Sequence, residues 1–357
     1  MSWETEYQDI CEVINQTPES RLKKDWLKKD IKKTMKKVGK IDYNLFPPDF
    51  RWNLCAARLR MGRFTNWDGW EFRSDWSITF QGLNGYDLKL PKWRGEKCKK
   101  LIICGEQGIG DEILFASAIP ELIVRLGRDC LEYQTYPRLI PLMERSFNIK
   151  CTPRKRLGEL EYEDDTYVVA IADLFMFYRR DISHFPGKPF LKPDPLLVSQ
   201  WKERLDALSD KPKIGIGWKA RHGDIDPREL MCEDATYINL QYLAHPDGDW
   251  VEPLPKGCIE MGCDPLTDIE SHLALIAALD KVVTVTQTTV HEAGSIGKEC
   301  HAIRPKKGTG EVNNMLWYYL LGNTASPIYN SVYIWNNPQK YQEQLRRDRT
   351  RTTSQLH

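Results

Sequence analysis

Short apolar runs recur from residue 100 onward, each followed by a turn and a helix-like stretch. LIICG (101–105), CLEYQ (130–134) and YVVAI (167–171) form a first series of predicted strands. KIGIGWK (213–219), TYINLQY (236–242), CIEMG (258–262), KVVTVT (281–286) and ECHAI (299–303) form a second. Helices are predicted over Glu112–Leu122, ESHLALIAALD (270–280) and TTVHEAGSIG (288–297). The Pro/Lys-rich stretch FPGKPFLKPDP (185–195) reads as a linker between the two series. Two strand–helix series joined in this way predict an α/β fold: two Rossmann-like parallel-sheet domains facing a cleft.

Ahead of them, residues 1–75 read as helical. FRWNLCAARLRMGRFTNWDGWEFR (50–73) places Trp52, Cys55, Ala56 and Leu59, then Phe64, Trp67 and Trp70, on two short amphipathic helices broken at Gly62. Ala56, Gly62 and Phe64 suit one tetratricopeptide-like unit, and a single unit is expected to pack on the neighbouring domain. The expected division is a helical segment over 1–95, a first Rossmann-like domain over 96–195, a second over 212–335 and a basic tail over 336–357, frayed at its end.

The 357 residues suffice for two or three domains, and 41% apolar with 28% charged residues fits an ordinary globular protein. No stretch approaches the roughly 20 apolar residues of a membrane span. The start, MSWETEYQDICEVINQ, lacks the layout of a signal peptide. The ten cysteines follow no paired framework, which predicts free thiols in a reducing cytoplasm. Net charge is +1, yet RLKKDWLKKDIKKTMKKVGK (21–40) carries ten Lys/Arg against two Asp. Its apolar positions recur at helical spacing. The cationic face, with Lys28, Lys29, Lys32 and Lys33, is either solvated or a contact for a polyanion such as nucleic acid.

The turn GEQGIGDE after the first strand raises the main chemical question. Glu106, Asp111 and Glu112 would repel a phosphate, and Gly105, Gly108 and Gly110 stand in the order GxxGxG, not that of a dinucleotide fingerprint. Its glycines let Asp111 approach a cleft edge, where the carboxylate can serve as a base or cap the following helix.

Four stretches resemble the GT-B glycosyltransferases that join tetratricopeptide repeats to a domain related to the bacterial heptosyltransferases. They are WNLCAARLRMGRFTNWDGWEFR, LPKWRGEKCKKLIICGEQGIGDEILFASAIPEL, LIAALDKVVTVTQTTVHEAGSIGK and WYYLLGNTASPIYNSVYIW, in that family's order over most of residues 50–335. The resemblance implies an inverting, metal-independent transferase moving a sugar from a nucleotide sugar to the hydroxyl of a protein, a glycan or a hydroxylated DNA base. It makes Asp111 the base, with Glu106 and Glu112 as substitutes, and matches His291 to a cleft histidine.

The donor's diphosphate calls for cations and N–H groups. Lys219 and Arg221 follow a strand of the second series, while Thr288 and Thr289 open a helix whose N–H groups suit an anion. Gln241 matches the family's glutamine as a base or ribose contact. Thr286 and Gln287 stand where the family carries Asp-Thr, so a donor-side acid is replaced by neutral groups. DID (224–226) and DGD (247–249) match a metal-transferase triplet that arises often by chance, and no zinc-type ligand set occurs. No cofactor or metal is expected. Two further readings stay open: a repeat-bearing scaffold with a degenerate transferase domain, and hydrolysis of the nucleotide sugar.

Overall fold

The computed structural model describes parts of 51–70, then residues 90–154, 163–220, 223–243, 253–305 and 325–354. The first sheet holds β1 (Lys100–Cys104), β2 (Leu131–Thr135), β3 (Lys150–Pro153) and β4 (Thr166–Ala170), all parallel, in the order β3-β2-β1-β4. Between β1 and β2 lie α1 (Ile109–Ala116) and α2 (Ile119–Leu126); α3 (Ile140–Phe147) precedes β3, and α4 (Leu174–Tyr178) and α5 (Pro195–Asp206) follow β4.

The second sheet is built from β5 (Lys213–Gly217), β8 (Thr236–Asn239), β9 (Cys258–Ile259), β10 (Lys281–Val285), β11 (Cys300–Ile303) and β12 (Val332–Trp335). Its order is β12-β11-β10-β5-β8-β9, again parallel. A small hairpin of β6 (Lys219–Ala220) and β7 (Gly223–Asp224) leads to α6 (Pro227–Leu230). α7 (Ile269–Ala278) precedes β10, α8 (Thr288–Ser295) joins β10 to β11, and α9 (Pro338–Ser354) closes the described chain.

In sequence rank the second sheet reads 3-2-1-4-5-6, and the first is its four-strand counterpart, 3-2-1-4. In both, the chain reverses direction across the sheet beside the first strand. The crevice where ligands bind such sheets therefore lies at the carboxyl ends of β1 and β4, and of β5 and β10. The strands are short and apolar on both faces because both are covered: Val282 belongs to one buried cluster while Val283 and Val285 belong to another. The larger cluster is shared. It joins Leu101, Ile103, Phe115 and Tyr133 around the first sheet to Leu273, Val290, Cys300 and Ile334 around the second.

Several expectations need correction. The predicted helix Glu112–Leu122 is two helices, interrupted at Ser117 and Ala118. Pro120, in the first turn of α2, has no N–H to continue the ladder. At the break, the Ser117 carbonyl accepts from Arg179 Nη2 at 2.7 Å. The stretch 185–195 is no free linker, since Phe190 and Leu191 both donate to the Ser295 carbonyl at the end of α8, at 2.9 and 3.1 Å. The fraying expected at the end of the basic tail falls on residues 355–357, outside the described residues; before it the tail is helical through Ser354, and Tyr341 is fully buried beside His301 and Trp335.

The aromatic residues ahead of the first sheet pack on it. Trp67 Nε1 donates to the Arg179 carbonyl at 2.9 Å and Trp70 Nε1 to the Ala172 carbonyl at 3.2 Å. Phe64 meets Phe185 edge-on at 5.0 Å. The nine cysteines among the described residues are all free thiols. No helix among those residues is long and apolar enough to cross a membrane.

Candidate active site

Gly108 is the N-cap of α1, in extended conformation. Asp111 therefore sits at the third helical position, not at the cap that sequence reading allowed it. Its Oδ2 accepts from the Gly108 N–H at 3.3 Å. With glycine at the cap, only this return half of a capping box exists. Asp111 is partly exposed, and its pKa is raised to about 6. Burial is the main cause, opposed by the Gly108 N–H and reinforced by the charges of Glu106 and Glu112.

The other two carboxylates of the turn point inward. Glu106 is fully buried and its Oε1 accepts from the Ala172 N–H, beyond β4, at 3.0 Å. Glu112 is equally buried, with Tyr133, Thr135 and Arg154 around its carboxylate. Neither can reach an acceptor hydroxyl, so both are set aside as substitutes for Asp111.

Across from the turn stands the N-terminus of α8. A Cβ on Gly110 would lie 3.1 Å from Thr288 Oγ1 and 3.2 Å from His291 Cδ2. This approach brings the N-terminal turns of α1 and α8 together, one from each sheet. Gln287 caps α8, so Thr288 and Thr289 do occupy its first two positions. Their N–H groups have no partner within the helix and form the positive end of its dipole. His291 is buried, its Nδ1 is 3.1 Å from the Tyr329 hydroxyl, and burial lowers its pKa to about 3. The ring is neutral, so it can donate or accept a hydrogen bond but supplies no charge.

The remaining donor-side candidates lie at the carboxyl edge of the second sheet. The Lys219 N–H donates to Gln241 Oε1 at 3.2 Å, and Gln241 is almost completely buried. The Gln241 carboxamide thus braces the Lys219 backbone. Thr286 is buried, with its N–H donating to the Ile303 carbonyl at 3.2 Å. Gln287 folds back, and its Nε2 donates to Thr284 Oγ1 at 2.8 Å. Arg221 lies outside the described residues, as do Lys28, Lys29, Lys32 and Lys33.

In the triplet 224–226, Asp226 caps α6 and pairs with Arg228, the ordinary work of a helix-capping acid. Residues 247–249 are outside the described residues. Sequence reading missed Arg154, Tyr136, Tyr133 and Thr135, which gather beneath the turn, and Tyr329, which contacts His291. Nothing in their spacing marks them, because the sheet register and the return of the chain after β11 bring them in.

No family model matches the chain. It is 30% identical over 275 residues to Protein FlbA of Caulobacter vibrioides, a match that covers 67% of this chain and 45% of that protein. The chain thus spans less than half the length of this relative. Among solved structures, E. coli ADP-heptose lps heptosyltransferase II has a TM-score of 0.46 at 14% identity, covering 69% of this chain and 97% of that one. A glycosyl transferase of family 9 from Veillonella parvula has a TM-score of 0.43 at 11% identity, covering 67% and 87%.

Proposed function

We propose that this chain is an inverting glycosyltransferase acting on a nucleoside-diphosphate sugar and an acceptor hydroxyl. One arrangement carries the reading. The turn bearing Asp111 and the N-terminus of α8 meet at the paired switch points of two parallel sheets. In this reading a base and an anion site stand side by side there, and the sugar lies in the crevice next to both.

In this reading the Asp111 carboxylate removes the acceptor proton as the hydroxyl oxygen attacks the anomeric carbon from the face opposite the leaving group. The bond from that carbon to the diphosphate oxygen breaks, and its electron pair leaves with the diphosphate. The Thr288 and Thr289 N–H groups and Lys219 stabilise the negative charge that develops there. A pKa of about 6 leaves Asp111 ionised at neutral pH and still basic enough to take a proton. His291, being neutral, serves as a hydrogen-bonding wall. Protein groups take the place that a metal ion fills in other transferases, and no cofactor is assigned. Arg221 stays a donor contact on the strength of its position after Lys219.

A thermal-shift series with nucleoside diphosphates tests the donor side. A ligand at about 100 times its Kd stabilises by about 2.7 kcal/mol. No shift with any nucleoside diphosphate or nucleotide sugar would remove the proposal.

A second reading has its own support. Thr286 is buried and Gln287 is tied to Thr284, so two expected donor contacts are engaged within the protein. That suits a scaffold that has kept the fold and lost the donor. Nucleotide binding without transfer to any acceptor, or no binding at all, would favour it.

A further inference from the structure

We propose that Arg154 and Tyr136 are the positioning residues of this site, holding the turn that presents Asp111 through the carbonyl of Gln107. The inference rests on the role of Asp111 proposed above, and it concerns residues with no assigned part in that role.

Gln107 has φ of +60°, a left-handed conformation that is unfavourable for a residue with a side chain. It stands four residues before Asp111, inside the turn, so its peptide orientation sets the start of α1. Two donors converge on its carbonyl: Tyr136 Oη at 2.9 Å and Arg154 Nη2 at 3.4 Å. The Arg154 guanidinium also lies over the Tyr136 ring, 3.8 Å from its centre. Tyr136 follows β2, which pairs with β1, and Arg154 follows β3, the next strand out at the sheet edge.

Glu112 fixes Arg154 in turn. Its Oε1 accepts from Arg154 Nε at 2.9 Å and from Nη2; its Oε2 accepts from Tyr133 Oη at 3.1 Å and from Thr135 Oγ1. A Cβ at Gly105 would overlap this carboxylate, so the first glycine of the turn makes room for it. Glu112 is the residue after Asp111. The same ion pair therefore anchors the first turn of α1 from below while Arg154 holds the preceding loop. A carboxylate fully out of water needs such a partner. The use of the partner's remaining N–H on Gln107 goes beyond that need. On the opposite side of the turn, Glu106 is held by the Ala172 N–H. The turn is gripped on both flanks, and Asp111, a partly exposed residue, is left between them.

The arrangement also couples to the base electrically. Glu112 raises the pKa of Asp111, and Arg154 lies against Glu112. Removing the guanidinium charge strengthens that repulsion, whereas removing only its fork geometry does not.

The test uses Tyr136→Phe, Arg154→Lys and the double variant Glu112→Gln/Arg154→Gln, which avoids stranding a buried charge. Tyr136→Phe keeps the ring under Arg154 and deletes one bond to Gln107. It should lower kcat about tenfold with nucleotide-sugar KM unchanged. Amide hydrogen exchange across 105–112 should accelerate. Arg154→Lys should lower kcat more and leave the acid limb of the pH profile in place, since the charge is kept. In the double variant, loss of the Glu112 charge should move that limb to lower pH. Wild-type kcat and exchange in both single variants would overturn the proposal, as would a rise in KM alone. Exchange is read without turnover, so the two readings separate. Faster exchange in Tyr136→Phe with no activity lost in Asp111→Asn would mean that the turn is held as described but Asp111 is not the base. Unchanged exchange with an inactive Asp111→Asn would mean the reverse.

Discussion

Asp111 carries a conflict between stability and chemistry. Its pKa in the fold is about 6 against an ordinary 3.8, so between these values the native state holds a proton that the unfolded chain has released. Stability from this group is fully present below the unfolded value and is lost as pH rises through the folded one. Above pH 6 the ionised carboxylate opposes folding, by on the order of 1–2 kcal/mol once partial exposure is discounted. Asp111→Asn keeps an acceptor for the Gly108 N–H and removes the charge. It should be more stable than the wild type at pH 8 and no more stable at pH 3.5, as chemical denaturation at the two pH values will show. Turnover should fall about 10²-fold or more, the usual range for a lost general base. In the wild type, turnover should rise with pH through about 6. A flat profile between pH 5 and 7 would assign the proton to another group.

At the scale of elements, the contact between α1 and α8 sets how closely the two sheets approach. Gly110→Ala places a Cβ 3.1 to 3.2 Å from Thr288 and His291, a tight fit that slight relaxation can absorb. Gly110→Leu cannot be absorbed in this way. It should destabilise by about 1–3 kcal/mol, the range for overpacking, and abolish nucleotide binding if the N-terminus of α8 is the phosphate site. The elements themselves were unevenly legible. KIGIG and KVVTV stand out because a strand covered on both faces is apolar at every position. KCTP, at an edge of the first sheet, and VYIW, at an edge of the second, were missed: four residues with polar or exposed members carry no such signal. The glycine turn and Asp111 were visible because glycines and acids punctuate a strand–helix junction. Arg154 was not, since its link to Glu112 spans 42 residues and depends on the register of β2 against β1 and of β3 against β2.

At the scale of the whole molecule, further ties besides the α1–α8 contact cross between the sheets. Arg145 on α3 makes a forked ion pair with Glu270 on α7, at 3.0 and 2.7 Å, and Arg138 donates to the Leu266 carbonyl. Charge elsewhere bears on the acceptor. If residues 21–40 guide nucleic acid to the site, replacing Lys28, Lys29, Lys32 and Lys33 with Gln should reduce the slope of log affinity against log salt by about 3–4 units, at about 0.9 per phosphate. Transfer to a small acceptor should not change. No binding of duplex DNA by the wild type at low salt would turn attention to protein or glycan hydroxyls.

The apolar cluster that runs unbroken from Leu101 to Ile334 sets how the chain can be taken apart. A cut near residue 207, between the sheets, would leave each fragment with part of that cluster facing water. Neither half should therefore fold when produced by itself, although each holds a complete sheet. Mixed together, the two pieces should find one another and recover nucleotide binding, much as the parts of a split reporter do. Two independent melting transitions for the separate fragments would mean instead that each sheet carries a core sufficient for itself.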